Sequence, residues 1–177
     1  MLTTERLIIR PFKNSDFQDL YEYLSLKESY RFERGAPVTL KEAKKICRER
    51  VKDDVFWAVT LKDTGKLIGQ VSLNRERPDN FRTWNIGYMF NPAFQNKGYA
   101  TEAARAVIRY AFAELNAHRV VGHCSPDNTA SWKVLENCGM KKEGLSRKDF
   151  LVRTGENGTP VWLDSFEYAI IEDDLVI

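Results

Sequence analysis

The sequence predicts an α+β fold: a mixed, mostly antiparallel sheet flanked by helices. Two observations lead there. "VFWAVTL" and "KLIGQVSL" are alternating, β-branched runs separated by "KDTG", a hairpin turn with Gly65 where a positive φ is required. Elsewhere strand-like runs are separated by helical ones, so hairpin neighbours and crossover-connected strands occur together. The 177 residues suit one domain, taken as 1–177, with no repeat, low-complexity tract or linker-like run.

The elements follow in order. "RLIIRPF" (Arg6 to Phe12) is a short strand ended by Pro11. "NSDFQDLYEYL" opens with capping residues and sets Phe17, Leu20, Tyr21 and Leu24 at helical spacing. The aromatic "SLKESYRFERGAPV" reads as a loop. A second helix starts near Thr39, with Leu40, Ala43, Ile46 or Cys47, and Val51 on one face. After the hairpin, "TWNIGYMF" alternates Ile86, Tyr88 and Phe90 on one face of a third strand. A long helix follows Gly98, with Ala100, Ala103, Ala104, Val107, Ile108, Ala111, Phe112 and Leu115 in unbroken i, i+3, i+4, i+7 spacing. "HRVVGHC" is a further strand, "NTASWKVLENCGM" a short helix closing at Gly139, and "VWLDSFEYAII" a late strand.

Composition bounds the function. Hydrophobic residues at 43% and charged residues at 29% describe a folded globular chain. A net charge of +2 argues against nucleic acid as a partner but leaves room for a locally bound anion. Cys47, Cys124 and Cys138 are odd in number and lack metal-ligand spacing, so they read as reduced thiols, with no metal expected. No apolar window resembles a signal peptide or a membrane span, so a cytoplasmic protein without a membrane partner is expected.

The loop "QNKGYA", Gln95 to Ala100, enters the long helix without a single carboxylate and with Lys97 and Gly98 at its tip. The leading amides of a helix lack intrahelical acceptors and carry the positive end of its dipole. A phosphate is a natural ligand there. Neither G-x-x-x-x-G-K-[ST] nor G-x-G-x-x-G is present, which removes the P-loop and dinucleotide readings.

"QNKGYA" resembles the Q/R-x-x-G-x-G/A loop of the GNAT superfamily of N-acetyltransferases, and "NTASWKVLENCGMKKEG" (Asn128 to Gly144) resembles its N-x-x-S/A…N-x-G-F/M…E-G segment. "LTTERLIIRPFKNSDF", "IGYMFNP" and "NAHRVVGHC" are similar to the branch of ribosomal-protein N-terminal (alanine/serine) acetyltransferases, and the similar pieces span nearly the whole chain in order. The resemblance implies an enzyme that moves acetyl from acetyl-CoA directly to an amine. It implies a cleft where the strand ending at Phe90 splays from Arg119–Cys124. Pantetheine would then pair with the edge of Met89, Phe90 and Asn91. The pyrophosphate would meet Gln95, Asn96, Lys97, Gly98, Tyr99, Ala100 and Thr101. It also suggests a backbone N–H near Met89 or Phe90, at a distortion of that strand, as oxyanion donor.

Asn128 and Ser131, three apart at a helix start, share a face; both read as helix caps and, by resemblance, as coenzyme A contacts. Many superfamily members carry a Tyr seven residues after this Asn as the acid for the leaving thiolate. Here that position is Leu135, and Ser131 is the candidate instead. Related sequences often have Glu at the place of Asn85, which as an amide cannot accept a proton. The ribosomal-protein branch also places a carboxylate that maps onto Asp149 in "SRKDF", the candidate base, though an exposed charge reads equally well. Asp164 and Glu167 are further carboxylates, on opposite faces of the last strand. Tyr30, Phe32 and Arg34 in the aromatic loop are candidates for the acceptor wall. His123 and Cys124, adjacent on a strand, point to opposite faces and cannot pair, so Cys124 reads as core.

An α-amine of pKa about 7.8 is roughly a tenth neutral at pH 7, against about one part in two thousand for a lysine. The weak base therefore favours an N-terminal α-amine as acceptor. A small amine (amino sugar, polyamine or antibiotic) and a non-catalytic coenzyme A sensor are the alternatives. Monomer and homodimer are both open.

Overall fold

A computed structural model describes residues 1–155 and 157–175. Its centre is an eight-stranded sheet: β1 (Leu2–Thr3), β2 (Leu7–Pro11), β3 (Phe56–Leu61), β4 (Leu67–Arg75), β5 (Thr83–Phe90), β6 (Arg119–Cys124), β7 (Lys141–Thr154) and β8 (Pro160–Ile171). Their spatial order is β1-β2-β3-β4-β5-β6-β8-β7, antiparallel at every step except β5–β6. Four helices flank it: α1 (Phe17–Leu24), α2 (Leu40–Val51), α3 (Tyr99–Glu114) and α4 (Thr129–Asn137). The α+β expectation stands.

The helices cover opposite faces. α3 buries Ala103, Ala104, Val107, Ile108, Ala111 and Phe112, and its small residues let it lie close on the sheet among Val71, Ile86 and Phe90. α1 and α2 close the other face through Leu20, Tyr23, Leu24 and Cys47, with Met89 packed beside them. Successive residues of β5 therefore serve different cores, as a strand period of two requires.

Local chemistry explains the helix boundaries. Thr39 caps α2, its hydroxyl accepting from the Glu42 amide at 3.3 Å while the Glu42 carboxylate accepts from the Thr39 amide at 2.7 Å. Gly65 (φ 70°) turns the β3–β4 hairpin and Gly139 (φ 87°) ends α4. Two apolar faces differ from expectation. Tyr23 rather than Tyr21 is the buried tyrosine of α1, because the Tyr23 hydroxyl finds Gln70 Oε1 at 3.1 Å beneath the helix. Leu40 is 48% exposed, since it begins α2 before the helix reaches the sheet.

β7 was not foreseen as a strand. Nearly all of Lys141–Thr154 is exposed, so it shows no alternation to read; its strand character comes from pairing with β8. All three cysteines are free and buried, and burial pushes the Cys124 and Cys138 thiols up to about 11.

Candidate active site

The sheet opens at its one parallel junction. β5 and β6 pair only at Thr83–Arg119, Trp84–Val120 and Asn85–Val121. Beyond these, β5 stays on β4 as far as Phe90 and β6 stays on β8 as far as Cys124, so the two strands part. Leu135 of α4 fills the root of the gap. A Cβ on Gly122 would stand 2.9 Å from Leu135 Cδ2 and 3.5 Å from Ile86 Cγ2, so only glycine lets the helix side chain settle there.

Hydrogen-bond alternation fixes which backbone groups face the gap. The Asn91 amide donates to Ile68 O at 2.9 Å, and Glu76 N donates to Thr83 O at 2.8 Å. Odd-numbered residues of β5 therefore bond β4, and the amides of Tyr88 and Phe90 point toward the gap. Phe90 O already accepts from Gln95 Nε2 at 3.1 Å. The free edge thus belongs to Tyr88 and Phe90 rather than to Met89 and Asn91. No distortion accompanies it, for the β4–β5 register runs unshifted from Arg75–Trp84 to Gly69–Phe90.

A cleft of about 720 Å³ follows this opening. One end reaches Gln95, Asn96, Gly98, Tyr99, Ala100 and Thr101. Asn96 (φ 58°) and Gly98 (φ 80°) are both left-handed, which turns consecutive N–H groups of the loop toward one side. Among the described residues, the amides of Gly98 to Thr101 donate to no other element. The carboxylate-free loop expected from "QNKGYA" is present, and its leading helix amides are left without protein acceptors.

The loop is braced from the other end of the chain. Arg6 Nη1 donates to Lys97 O at 3.0 Å, its guanidinium lies 4.5 Å from the Tyr99 ring centroid, and it pairs with Glu102 at 2.7 Å. Glu102, the one acid in the first turn of α3, also accepts from Thr4 Oγ1 at 2.6 Å and Arg6 N at 2.9 Å. Burial pushes its carboxyl up, but these donors outweigh burial and hold it below the ordinary range. The acid that would repel an anion is thereby neutralised. Nothing in the sequence pairs Arg6 with Glu102.

Two expected cofactor residues lie off the cleft. Asn91 is 4% exposed; its Oδ1 accepts from Ala93 N at 3.0 Å and its Nδ2 donates to Glu22 at 3.2 Å. Lys97 turns back to Ala93 O at 3.1 Å and the Phe94 ring. Met89, Phe90, Asn128 and Ser131 do line it. Asn128 caps α4, its Oδ1 accepting from Ser131 N at 3.2 Å, so the capping role is present.

Ser131 has a partner that sequence reasoning missed. The Tyr88 hydroxyl donates to Ser131 O at 2.8 Å and lies 3.1 Å from Ser131 Oγ. Burial pushes this phenol well above its ordinary value, only partly offset by Ser131, so it stays protonated. A tyrosine on the strand β5, not one on the helix α4, supplies the phenol beside Ser131. The alternation of "IGYMF" marked Tyr88 as inward-facing but not its partner.

Asp149 does not reach this site. It is exposed on β7, inside the register shift between Ser146 and Phe150, and no part of it lines the cleft. A charged strand edge is what the burial pattern makes of it. The cleft's far rim is instead Glu28, Arg31, Phe32 and Glu33 from the aromatic loop. Phe32 lies there as expected, whereas Tyr30 donates to Leu24 O at 3.0 Å and Arg34 to Leu151 O at 2.9 Å, tying the loop to α1 and β7. Glu33 is exposed as a whole residue, yet the cleft walls desolvate its carboxyl and raise it above the usual range.

An acetyltransferase (GNAT) domain matches residues 6–141. The chain belongs to the GNAT family of acetyltransferases. It is 36% identical over 174 residues to the uncharacterized N-acetyltransferase YnaD of Bacillus subtilis (strain 168), covering 98% of each chain. A crystal structure of a GNAT-family acetyltransferase from Bacillus anthracis superimposes with a TM-score of 0.87 at 31% identity, covering 97% of this chain and 98% of that one. The [ribosomal protein uS5]-alanine N-acetyltransferase of Escherichia coli (strain K12) is 26% identical over 185 residues, covering 98% of this chain and 91% of the relative. The GNAT chain is accordingly an acetyl-CoA-dependent N-acetyltransferase. Among the described residues no helix is long and apolar enough to cross a membrane, and no group of His, Cys, Asp and Glu is placed to hold a metal.

Proposed function

We propose that this acetyltransferase transfers acetyl from acetyl-CoA directly to the N-terminal α-amine of a protein or peptide. The carrying observation is one continuous cleft. It joins uncompensated helix amides at Gly98–Thr101, the inward backbone edge of Tyr88 and Phe90, and a rim with the carboxylates Glu28 and Glu33. An anion, an extended amide-bearing arm and a cationic amine are the three chemistries those surfaces suit, in that order. The full-length similarity to a uS5-alanine N-acetyltransferase supports the α-amine.

The residues have assignable tasks. Gln95, Asn96, Gly98, Tyr99, Ala100 and Thr101 would cradle the diphosphate; Tyr88, Phe90 and Asn128 would hold the pantetheine arm. The N–H of Phe90, next to the carbonyl occupied by Gln95, is the available oxyanion donor. The Tyr88–Ser131 hydroxyl pair can hand a proton to the departing sulfur, which needs little help because a thiolate is a stable leaving group.

A small polyamine is the second reading, favoured by two carboxylates on one rim. Thiol release from acetyl-CoA separates the readings. An alanine-initiated peptide should turn over faster than spermidine and than the same peptide with a blocked N-terminus and a free lysine. Preference for spermidine would establish the second reading, and thiol release with none of these amines would refute both.

A further inference from the structure

Asp149 is remote, Asn85 cannot accept a proton, and the carboxylates of the cleft, Glu28 and Glu33, stand on its far rim. We propose that His123, backed by Glu167 and oriented by Asn85, is the general base that receives the proton of the acceptor amine. This deepens the amine-acetylation reading and rests on it.

The geometry points to His123. Val121 is the last residue of β6 paired with β5, and His123 stands two residues further, about 7 Å along the parting strand. Cys124 turns toward the α3 and α4 core, so His123 projects from the opposite face, where its side chain is 39% exposed. Tyr88 and Ser131 occupy the α4 side of the opening. The amine then approaches from the other side, the side of Met89, and on that face the imidazole stands beside Asn85 at the root of the gap.

Its hydrogen bonds choose the tautomer. Asn85 Nδ2 donates to Glu76 Oε1 at 3.0 Å, which fixes that atom as the amide nitrogen. The same nitrogen lies 3.2 Å from His123 Nδ1, so Nδ1 carries the lone pair and Nε2 the hydrogen. Nε2 faces Glu167 Oε2 at 3.7 Å, within ion-pair reach. A third group thus stands behind the base, as the logic of an oriented imidazole requires. The charged groups around the ring are Glu76 at the end of β4, Glu167 on β8 and Arg119 on β6, which shares Glu167 at 3.2 Å and also pairs with Glu143 of β7. The carboxylates outnumber the guanidinium, and Arg119 is mostly engaged by Glu143.

The step balances. The ammonium of the acceptor loses one proton to Nδ1, displacing the Asn85 donor, and the imidazolium is held by Glu167. The freed nitrogen lone pair forms the C–N bond at the thioester carbonyl as the C–S bond breaks; the sulfur keeps the bonding pair. The second proton leaves the new amide nitrogen and ends on sulfur, and His123 returns its proton to solvent.

The test compares wild type with His123→Gln and Glu167→Gln, using the alanine-initiated peptide and spermidine as probe amines. His123→Gln should lower kcat/KM about 100-fold and abolish the acid limb of its pH profile, while the Kd for acetyl-CoA by calorimetry stays within about twofold. Glu167→Gln should show a smaller loss of kcat/KM. Long-range 1H–15N NMR of the imidazole gives a readout that needs no acceptor: wild type should show the Nε2–H tautomer, and Asn85→Asp should reverse it. A His123→Gln enzyme within about threefold of wild type with an unchanged profile, or an Nδ1–H tautomer in wild type, would overturn the proposal. Absence of acetyl-CoA binding in wild type would instead strike the amine-acetylation reading.

Discussion

Tyr88 on β5 and Ser131 on α4 meet hydroxyl to hydroxyl at 3.1 Å, with the phenol also donating to the Ser131 carbonyl at 2.8 Å. The pair is built across the opening of the sheet; it anchors the start of α4, and in the proposed reaction it also offers a proton to the cleft. Tyr88→Phe leaves the Ser131 carbonyl without this donor, costing about 1–3 kcal/mol in thermal or denaturant unfolding. It should also lower kcat, while Ser131→Ala, which keeps the Tyr88–carbonyl bond, should lower kcat with less loss of stability. Equal kcat in both variants and wild type would remove the pair from catalysis.

Gly98 holds φ 80°, and an added Cβ would stand 3.3 Å from Arg6 Nη2. Gly98→Ala therefore meets left-handed strain of roughly 1–2 kcal/mol and crowds the guanidinium that braces the loop. Calorimetry should show an acetyl-CoA Kd raised at least about tenfold, since the same backbone is the proposed diphosphate cradle.

Arg6 and Glu102 couple this loop to acidity. Glu102 ionises below its ordinary value of about 4.5 in the folded chain, so the unfolded state binds the extra proton between the two pKa values and stability rises with pH there. The contribution is fully present above about pH 4.5 and is lost as the pH falls through the folded pKa. Thermal unfolding of Glu102→Gln should lack that share of the acid-side decline. Arg6→Ala, leaving an uncompensated carboxylate beside the anion loop, should weaken acetyl-CoA binding more at low salt than at high salt.

Leu135 is 1% exposed and wedged over Gly122. Leu135→Ala should cost about 2–5 kcal/mol. Leu135→Tyr, which places a phenol at the position where many family members have one, should destabilise by overpacking and leave kcat no higher than wild type, because the position points into the core beside Gly122. Unfolding curves and kcat together check this.

What could be read from the sequence was what is local. Thr39, Gly65, Gly139 and the α3 stripe act within a few residues of themselves, and "QNKGYA" and "NTAS" announce helix ends by composition. What could not be read depends on distant partners. Arg6 meets Glu102 across 96 residues and Tyr88 meets Ser131 across 43. β7 escaped notice because its first nine residues, Lys141 to Asp149, are all exposed and show no period. His123 was set aside on its relation to Cys124, which was sound; its useful neighbour is Asn85, on a strand that parallel pairing brings alongside. Asn91 and Lys97 were assigned to the cleft through the resemblance, whereas the Asn91 side chain caps the turn at Ala93 and the Lys97 side chain folds back onto the Ala93 carbonyl.

A crystal structure of the acetyl-CoA complex tests the central claim most directly. The account predicts the diphosphate on the amides of Gly98 to Thr101 and the pantetheine arm between the parted strands, bonded to the backbone of Tyr88 and Phe90. A cofactor bound elsewhere on the surface, with the space between β5 and β6 empty, would contradict it.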